Sequence, residues 1–151
     1  MMIANRQIAS NRIMVVDDHA AARRGIRSVL AADPTLDVVG EAADAEEALA
    51  KVQELRPDII LLDISLPGES GIQAAAKVRA FSPECRIIFV SQHDSVQIAR
   101  DALSTGAHGY VVKSDAGNDL LPAIQAAREG QVFVSRTVRA RGWKPQAVAQ
   151  Q

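Results

Sequence analysis

Ile59-Ile60-Leu61-Leu62-Asp63 is a run of four apolar residues ended by a carboxylate, and Ile13-Met14-Val15-Val16-Asp17-Asp18 repeats the pattern with two. A third run, Ile87-Ile88-Phe89-Val90, ends in Ser91, and a fourth, Tyr110-Val111-Val112, ends in Lys113. The runs are continuous rather than alternating, and rich in Val and Ile. That pattern fits strands covered on both faces, as in a parallel sheet. If the carboxyl ends lie side by side, three carboxylates, one hydroxyl and one ammonium converge on one spot.

The intervening stretches carry helical spacing. Ala22, Ile26, Val29 and Leu30 fall on one helix face, and Asp33-Pro34 ends that segment. Leu36 to Gly40 reads as a weaker, outer strand. Asp44 suits the N-cap of a helix over 45–55, with Glu47 at N3, and Arg56-Pro57 stops it. A helix is expected over 69–81, ending before Ser82-Pro83. Asp94 or Ser95 can cap the next, which runs to about Ser104 and is closed by Gly106. The last is expected from about Asn118 to Glu129, a late start that keeps Pro122 near the first turn. Strand and helix alternate five times, which predicts an α/β layer fold, a doubly wound parallel sheet of five strands.

At 151 residues the chain is one domain of ordinary size, 48% hydrophobic but only 3% aromatic, so Val, Ile, Leu and Ala must fill its core. All 18 acids lie before Ser135 with 13 of the 17 bases, so the body carries about −5. The remaining bases, Arg136, Arg139, Arg141 and Lys144, make the C-terminal stretch basic. The one cysteine, Cys85, excludes an intrachain disulfide and a cysteine-rich metal site. No apolar run approaches the ~20 residues that span a bilayer, and the first residues lack a signal-peptide pattern. A reducing cytoplasm is the expected compartment.

In open parallel sheets, ligands bind beyond the carboxyl ends of strands, where strand order reverses. Crowded carboxylates repel, so a counter-cation is expected. Mg2+ fits, since it takes oxygen ligands and shares them with phosphate. Lys113 adds a point charge for a phosphoryl oxygen, Ser91 a hydrogen bond. A carboxylate can itself be the nucleophile, and phosphoryl transfer needs mostly positioning and charge neutralisation.

The ordered set over residues 12–130 resembles a response-regulator receiver domain of two-component signalling. Asp17-Asp18 follows the first strand and Asp63 the third, with Leu66-Pro67-Gly68 and Gly71 behind it; Ser91 ends the fourth, and Gly109-Tyr110-Val111-Val112-Lys113 is the fifth. Asp17-Asp18-His19, Gly25-Ile26-Arg27-Ser28-Val29-Leu30 and Gly106-Ala107-His108-Gly109-Tyr110 resemble the subgroup that usually carries a C-terminal helix-turn-helix. The resemblance implies a flavodoxin-like sheet of order 2-1-3-4-5. It implies that Asp63 accepts a phosphoryl group from a histidine kinase or phosphotransfer protein. Asp17, Asp18, Asp63 and the Ser65 carbonyl would hold Mg2+, Ser91 and Lys113 would clasp the phosphoryl oxygens, and Tyr110 would change rotamer as Ser91 moves. The output would be a homodimer or a downstream protein. Ser114 stands where many members have proline, and Gln92 is bulkier than the family's usual small residue.

Plainer readings stand beside these. Asp17 and Asp18 can cap a helix, Ser91 likewise, Lys113 can be a surface lysine, and Tyr110 a half-buried strand residue. His19, His93 and His108 have no metal-ligand spacing, His19 reading as a loop residue near the site. The expected division is an N-terminal extension (1–11), the receiver (12–130) and a basic C-terminal tail or truncated linker (131–151), whose stretch after Val134 is expected not to be needed for folding. One rival is a magnesium-dependent phosphohydrolase, but the acid such enzymes place two residues after the nucleophile is Ser65 here. Another is a DNA-binding regulator, for which the ~20 residues after Gly130 are too few to hold a helix-turn-helix. The expectation is no membrane contact and no nucleic-acid binding through this chain alone.

Overall fold

The computed structural model describes residues 11–145. The elements alternate as β1 (Arg12–Val16), α1 (Ala20–Leu30), β2 (Asp37–Ala42), α2 (Ala45–Leu55), β3 (Ile59–Leu62), α3 (Gly71–Phe81), β4 (Arg86–Ser91), α4 (Val96–Leu103) and β5 (Gly109–Val112). A 3-10 turn over Lys113–Asp115 leads into α5 (Ala116–Arg128), then β6 (Phe133–Val134) and α6 (Arg136–Ala140). All pairings are parallel, in the order β2-β1-β3-β4-β5-β6. The fold is the doubly wound, flavodoxin-like class read from the apolar runs.

The strands earn that reading by being buried on both faces. Alternate residues Met14, Val16, Ile60, Leu62, Ile87, Phe89 and Tyr110 face a core shared with α2, α3 and α4. Ile13, Val15, Ile59, Leu61, Ile88, Val90 and Val111 face α1 and α5. No residue of β3 is exposed, and burying each such side chain is worth about 1.5–3 kcal/mol. The helices are small-residue faces pressed on this sheet: Ala45, Ala48 and Val52 of α2, Ala74, Ala75 and Val78 of α3, Ala99 and Ala102 of α4.

The caps follow local chemistry. Asp44 accepts the Glu47 amide at 2.8 Å, while the Glu47 carboxylate accepts the Ala43 amide, one residue before the cap. Helix α3 starts two residues later than expected because Ser70 and Gln73 form a reciprocal capping box. Ser95, not Asp94, caps α4 by accepting the Ile98 amide.

Three expectations are corrected. The sheet has a sixth strand: β6 pairs with β5, with the Phe133 amide donating to the His108 carbonyl and the Ser135 amide to the Tyr110 carbonyl. The patch Val132-Phe133-Val134 thereby covers what would be an open sheet edge. Residues after Val134 are not a loose tail, since Ser135 and Val138 are fully buried. Helix α5 begins at Ala116, straight out of the 3-10 turn, so Pro122 sits in its interior. The donor that Pro122 lacks would have met the Asn118 carbonyl, and both residues are exposed, so water can replace that bond. Nearly all the expected N-terminal extension, and residues 146–151, lie outside the described residues.

Candidate functional site

The site is built by register. Val16 of β1 pairs with Leu62 of β3, so Asp17 and Asp63 leave the sheet side by side. The Asp63 amide donates to the Val16 carbonyl and the Asp17 amide to the Ala42 carbonyl, each at 3.0 Å, which fixes both backbones. Ser91 pairs with Val112, placing Lys113 at the same edge.

Lys113 joins the two buried carboxylates. Its Nζ lies 2.7 Å from Asp17 Oδ2 and donates to Asp63 Oδ2 at 3.1 Å. Asp18 is half-buried, with Oδ1 3.1 Å from His19 Nδ1. Asp17 Oδ1 accepts the His19 amide at 2.9 Å. Asp17, Asp18 and His19 can direct ligand atoms to within 4.8 Å of one another; Asp63 stands outside that tight group and meets it through Lys113. Asp17 Oδ2 is met by the Lys113 ammonium, while Asp18 Oδ1 is shielded from solvent and accepts no hydrogen bond. Shielded carboxylate oxygens without donors are costly unless a cation answers them. The cluster therefore has the donor set of a hard divalent cation.

The hydroxyl side is organised by a residue that spacing alone did not single out. His93 spans the loops after β3 and β4: its amide donates to Ser91 Oγ at 3.1 Å, its Nε2 lies 3.0 Å from Ser65 Oγ, and its carbonyl accepts the Tyr110 hydroxyl at 2.8 Å. The Ser65 amide points at Asp63 Oδ1 from 3.3 Å. Tyr110 is fully buried rather than half-buried, and burial pushes its hydroxyl pKa up. Arg23 is a second unforeseen participant, donating to the Asp17 carbonyl at 2.6 Å and to Glu41 at 2.8 Å. Its position one helical turn after His19 was the available signal. Lys113 opens the 3-10 turn with every described peptide trans, so Ser114 in place of proline is accommodated.

Electrostatics match this crowding. Burial pushes the Asp63 carboxyl above its ordinary value, with Asp17 adding to the rise and Lys113 opposing it. Burial also works against the Lys113 ammonium, but Asp17 and Asp63 outweigh it and hold its pKa above the usual lysine value. A carboxyl raised on folding loses stability as pH climbs from its unfolded value through its folded one. Ionised Asp63 is therefore a net cost in the metal-free fold. Asp63→Asn is expected to melt higher than the parent in chelator at neutral pH, the gap closing as pH falls below the ordinary aspartate range. Equal melting at both pH values would mean Asp63 bears no such strain.

Comparison with known proteins agrees with the fold. The profile of the response regulator receiver domain matches residues 13–125. The DNA-binding transcriptional activator DevR/DosR of Mycobacterium tuberculosis is 37% identical over 129 residues, covering 85% of this chain and 59% of the activator. A LuxR-family two-component response regulator from Aurantimonas sp. SI85-9A1 superposes with a TM-score of 0.81 at 39% identity, over 85% of this chain and 92% of that one. The isolated receiver domain of RcsB from Salmonella enterica serovar Typhimurium, solved with a beryllofluoride phosphomimetic, gives 0.82 at 26% identity, over 89% and 99%. An acidic edge closed by a lysine, on a sheet of this order, defines a receiver-type site. The chain belongs to the response-regulator receiver domain family. It spans 59% of the length of that activator, so the activity of such whole regulators is not carried over with the fold.

Proposed function

We propose that this chain is a phosphorylation-controlled signalling switch whose acceptor is Asp63. The observation that supports it is Lys113 bridging Asp17 and Asp63 at the end of the central strands. An Asp63 carboxylate oxygen attacks the phosphorus of a phosphohistidine on a histidine kinase or phosphotransfer protein. The new bond is P–O, the broken one P–N, and the imidazole leaves. Asp63 is pre-placed by its backbone bond to Val16, and Lys113 is charged and within reach of the incoming oxygens. Ser91, whose Oγ accepts the His93 amide, can turn its O–H to another oxygen. Mg2+ would be held by Asp17, Asp18 and Asp63, with the Ser65 carbonyl, and would neutralise charge on the phosphoryl group. Tyr110, tied to the His93 carbonyl, is the aromatic that would follow Ser91. The chain's own chemistry is acceptance and loss of this one group, without turnover of external substrates, in a cytoplasmic setting.

Acetyl phosphate with magnesium should add one phosphoryl group, seen as a single mass increment, absent in chelator and in Asp63→Asn. Modification surviving Asp63→Asn would overturn the assignment. Magnesium should also stabilise the parent by mass action, about 2.7 kcal/mol at a hundredfold excess over its dissociation constant.

The names of the relatives favour a second, compatible reading, in which the switch serves a DNA-binding transcriptional regulator. Arg136 is engaged by Asp119, Arg139 by the Val134 carbonyl and Arg141 by Asp94.

A further inference from the structure

The segment after β6 crosses from one side of the site to the other. At its start, Ser135 Oγ donates to Asp115 and lies 3.3 Å from Asp119. The Arg136 amide and guanidinium donate to Asp119, and the Thr137 amide and hydroxyl to Asp115. Asp115 and Asp119 are both buried, and Asp115 closes the 3-10 turn that Lys113 opens. In the middle, Val138 is fully buried against the core. At its far end, Arg141 pairs with Asp94 at 3.0 Å, and Trp143 packs against the same core cluster. Asp94 follows His93, whose amide is bound to Ser91 Oγ. The segment thus touches the loop of Lys113 with one end and the loop of Ser91 with the other.

The two attachments differ in kind. The first is a network of charge-assisted hydrogen bonds to buried carboxylates, the stronger class. The second is one ion pair between half-exposed side chains, which holds weakly, beside the packing of the partly buried Trp143. Beside Trp143 lies a groove of about 560 Å3, walled by Gln97, Arg100 and Leu103 of α4 on one side and Trp143 on the other. A groove there leaves the Trp143 end less completely packed than the Ser135 end.

We propose that residues 135–143 form an autoinhibitory arm over α4, hinged on Asp115 and Asp119 and fastened by Arg141 to the Ser91 loop, and that phosphorylation of Asp63 frees its Trp143 end. This rests on the acceptor reading above. When the Ser91 hydroxyl turns to a phosphoryl oxygen, the His93 amide bound to it follows. Asp94 shifts with its neighbour and leaves Arg141. The hinge stays, because Lys113 already reaches Asp63 and its turn has little distance to travel. The stretch beyond the buried Val138 swings out and uncovers the α4 side of the groove.

Trp143 is the single tryptophan, so its fluorescence reports the arm directly. The full chain is compared alone, with magnesium and beryllofluoride, and as Arg141→Ala, bound beryllofluoride being read separately by fluorine NMR. Emission should shift to the red and acrylamide quenching rise both on beryllofluoride binding and in Arg141→Ala alone. By reciprocity, Arg141→Ala should bind beryllofluoride more tightly, by about two- to fivefold, the range an exposed ion pair carries. Asp94→Asn should act like Arg141→Ala. A bound fluorine signal with Trp143 unmoved overturns the arm and leaves the acceptor reading intact. No bound fluorine overturns the acceptor reading and the trigger together. Trp143 as shielded in Arg141→Ala as in the parent overturns the clasp whatever beryllofluoride does.

Discussion

Gly71→Ala should cost roughly 3 kcal/mol or more, at or beyond the upper end of overpacking effects, and should slow phosphoryl acceptance at Asp63. Gly71 is the first residue of α3, and its amide donates to the Ile64 carbonyl at 2.8 Å. A Cβ there would stand 1.9 Å from the Asp63 carbonyl oxygen and 2.8 Å from Ile64 Cα. Both are backbone, so no side chain can swing aside; either α3 or the end of β3 must move. On helix propensity alone alanine should be better than glycine by up to about 1 kcal/mol, so the two arguments give opposite signs. Gly25→Ala is the control, because nothing lies within 4 Å of its added Cβ and it sits on the exposed face of α1. The control should gain stability while Gly71→Ala loses about 10 °C, at about 2–4 °C per kcal/mol for a chain of this size. A displacement near 1 Å of a reacting group costs about a hundredfold in rate, so acetyl phosphate labelling should fall steeply while the residual protein is still folded. A Gly71→Ala chain as stable and as readily labelled as the parent would show that α3 does not set the position of Asp63.

The fold was legible because its strands are doubly covered and therefore written as unbroken apolar runs ended by polar residues. Asp17, Asp63 and Lys113 were legible as strand ends, and parallel register turns strand ends into neighbours. What spacing could not show is contact between loops. His93 has no pattern that marks it, since its role comes from an amide, a carbonyl and a ring nitrogen reaching three different partners. No local pattern marks Asp115 and Asp119, because their partners lie 16 to 22 residues later in the chain. Helix α5 started early for the same reason: the turn at Lys113 runs straight into it, and the free carbonyl opposite Pro122 faces water. The expected tail or linker, 131–151, was read from composition, its four bases suggesting a linker, and its described part, to residue 145, is packed instead. Three of those bases satisfy partners within the body, and the apolar positions between them, Val134 and Val138, are buried.

That correction reverses an expectation about truncation. A chain ending at Val134 should melt about 10 °C below the parent, where composition alone suggested no more than a small change. Removing the segment exposes the pocket of Val138, a loss of about 1.5–3 kcal/mol, and with it the packing of Trp143. It also strips Asp115 and Asp119 of their donors. Against the effect of burial, the Ser135 hydroxyl, the Thr137 hydroxyl and amide and the nearby Arg136 charge hold the Asp115 carboxyl below its ordinary value. A carboxyl lowered on folding gives stability that is present above its unfolded pKa and lost as pH falls through its folded one. The parent should therefore lose part of its advantage over the truncated chain on acidification below about pH 4, the ordinary aspartate range. Converted at about 2–4 °C per kcal/mol, roughly 3 kcal/mol gives the shift stated. Labelling by acetyl phosphate should survive in the truncated chain, because no contact of Asp63 or of Asp17 comes from the removed residues. Melting within about 2 °C of the parent, below the shift of a single kcal/mol, would mean that the buried latch between Ser135 and Asp115 contributes nothing to the fold. Loss of labelling with melting unchanged would instead tie the segment to the chemistry of Asp63 rather than to stability.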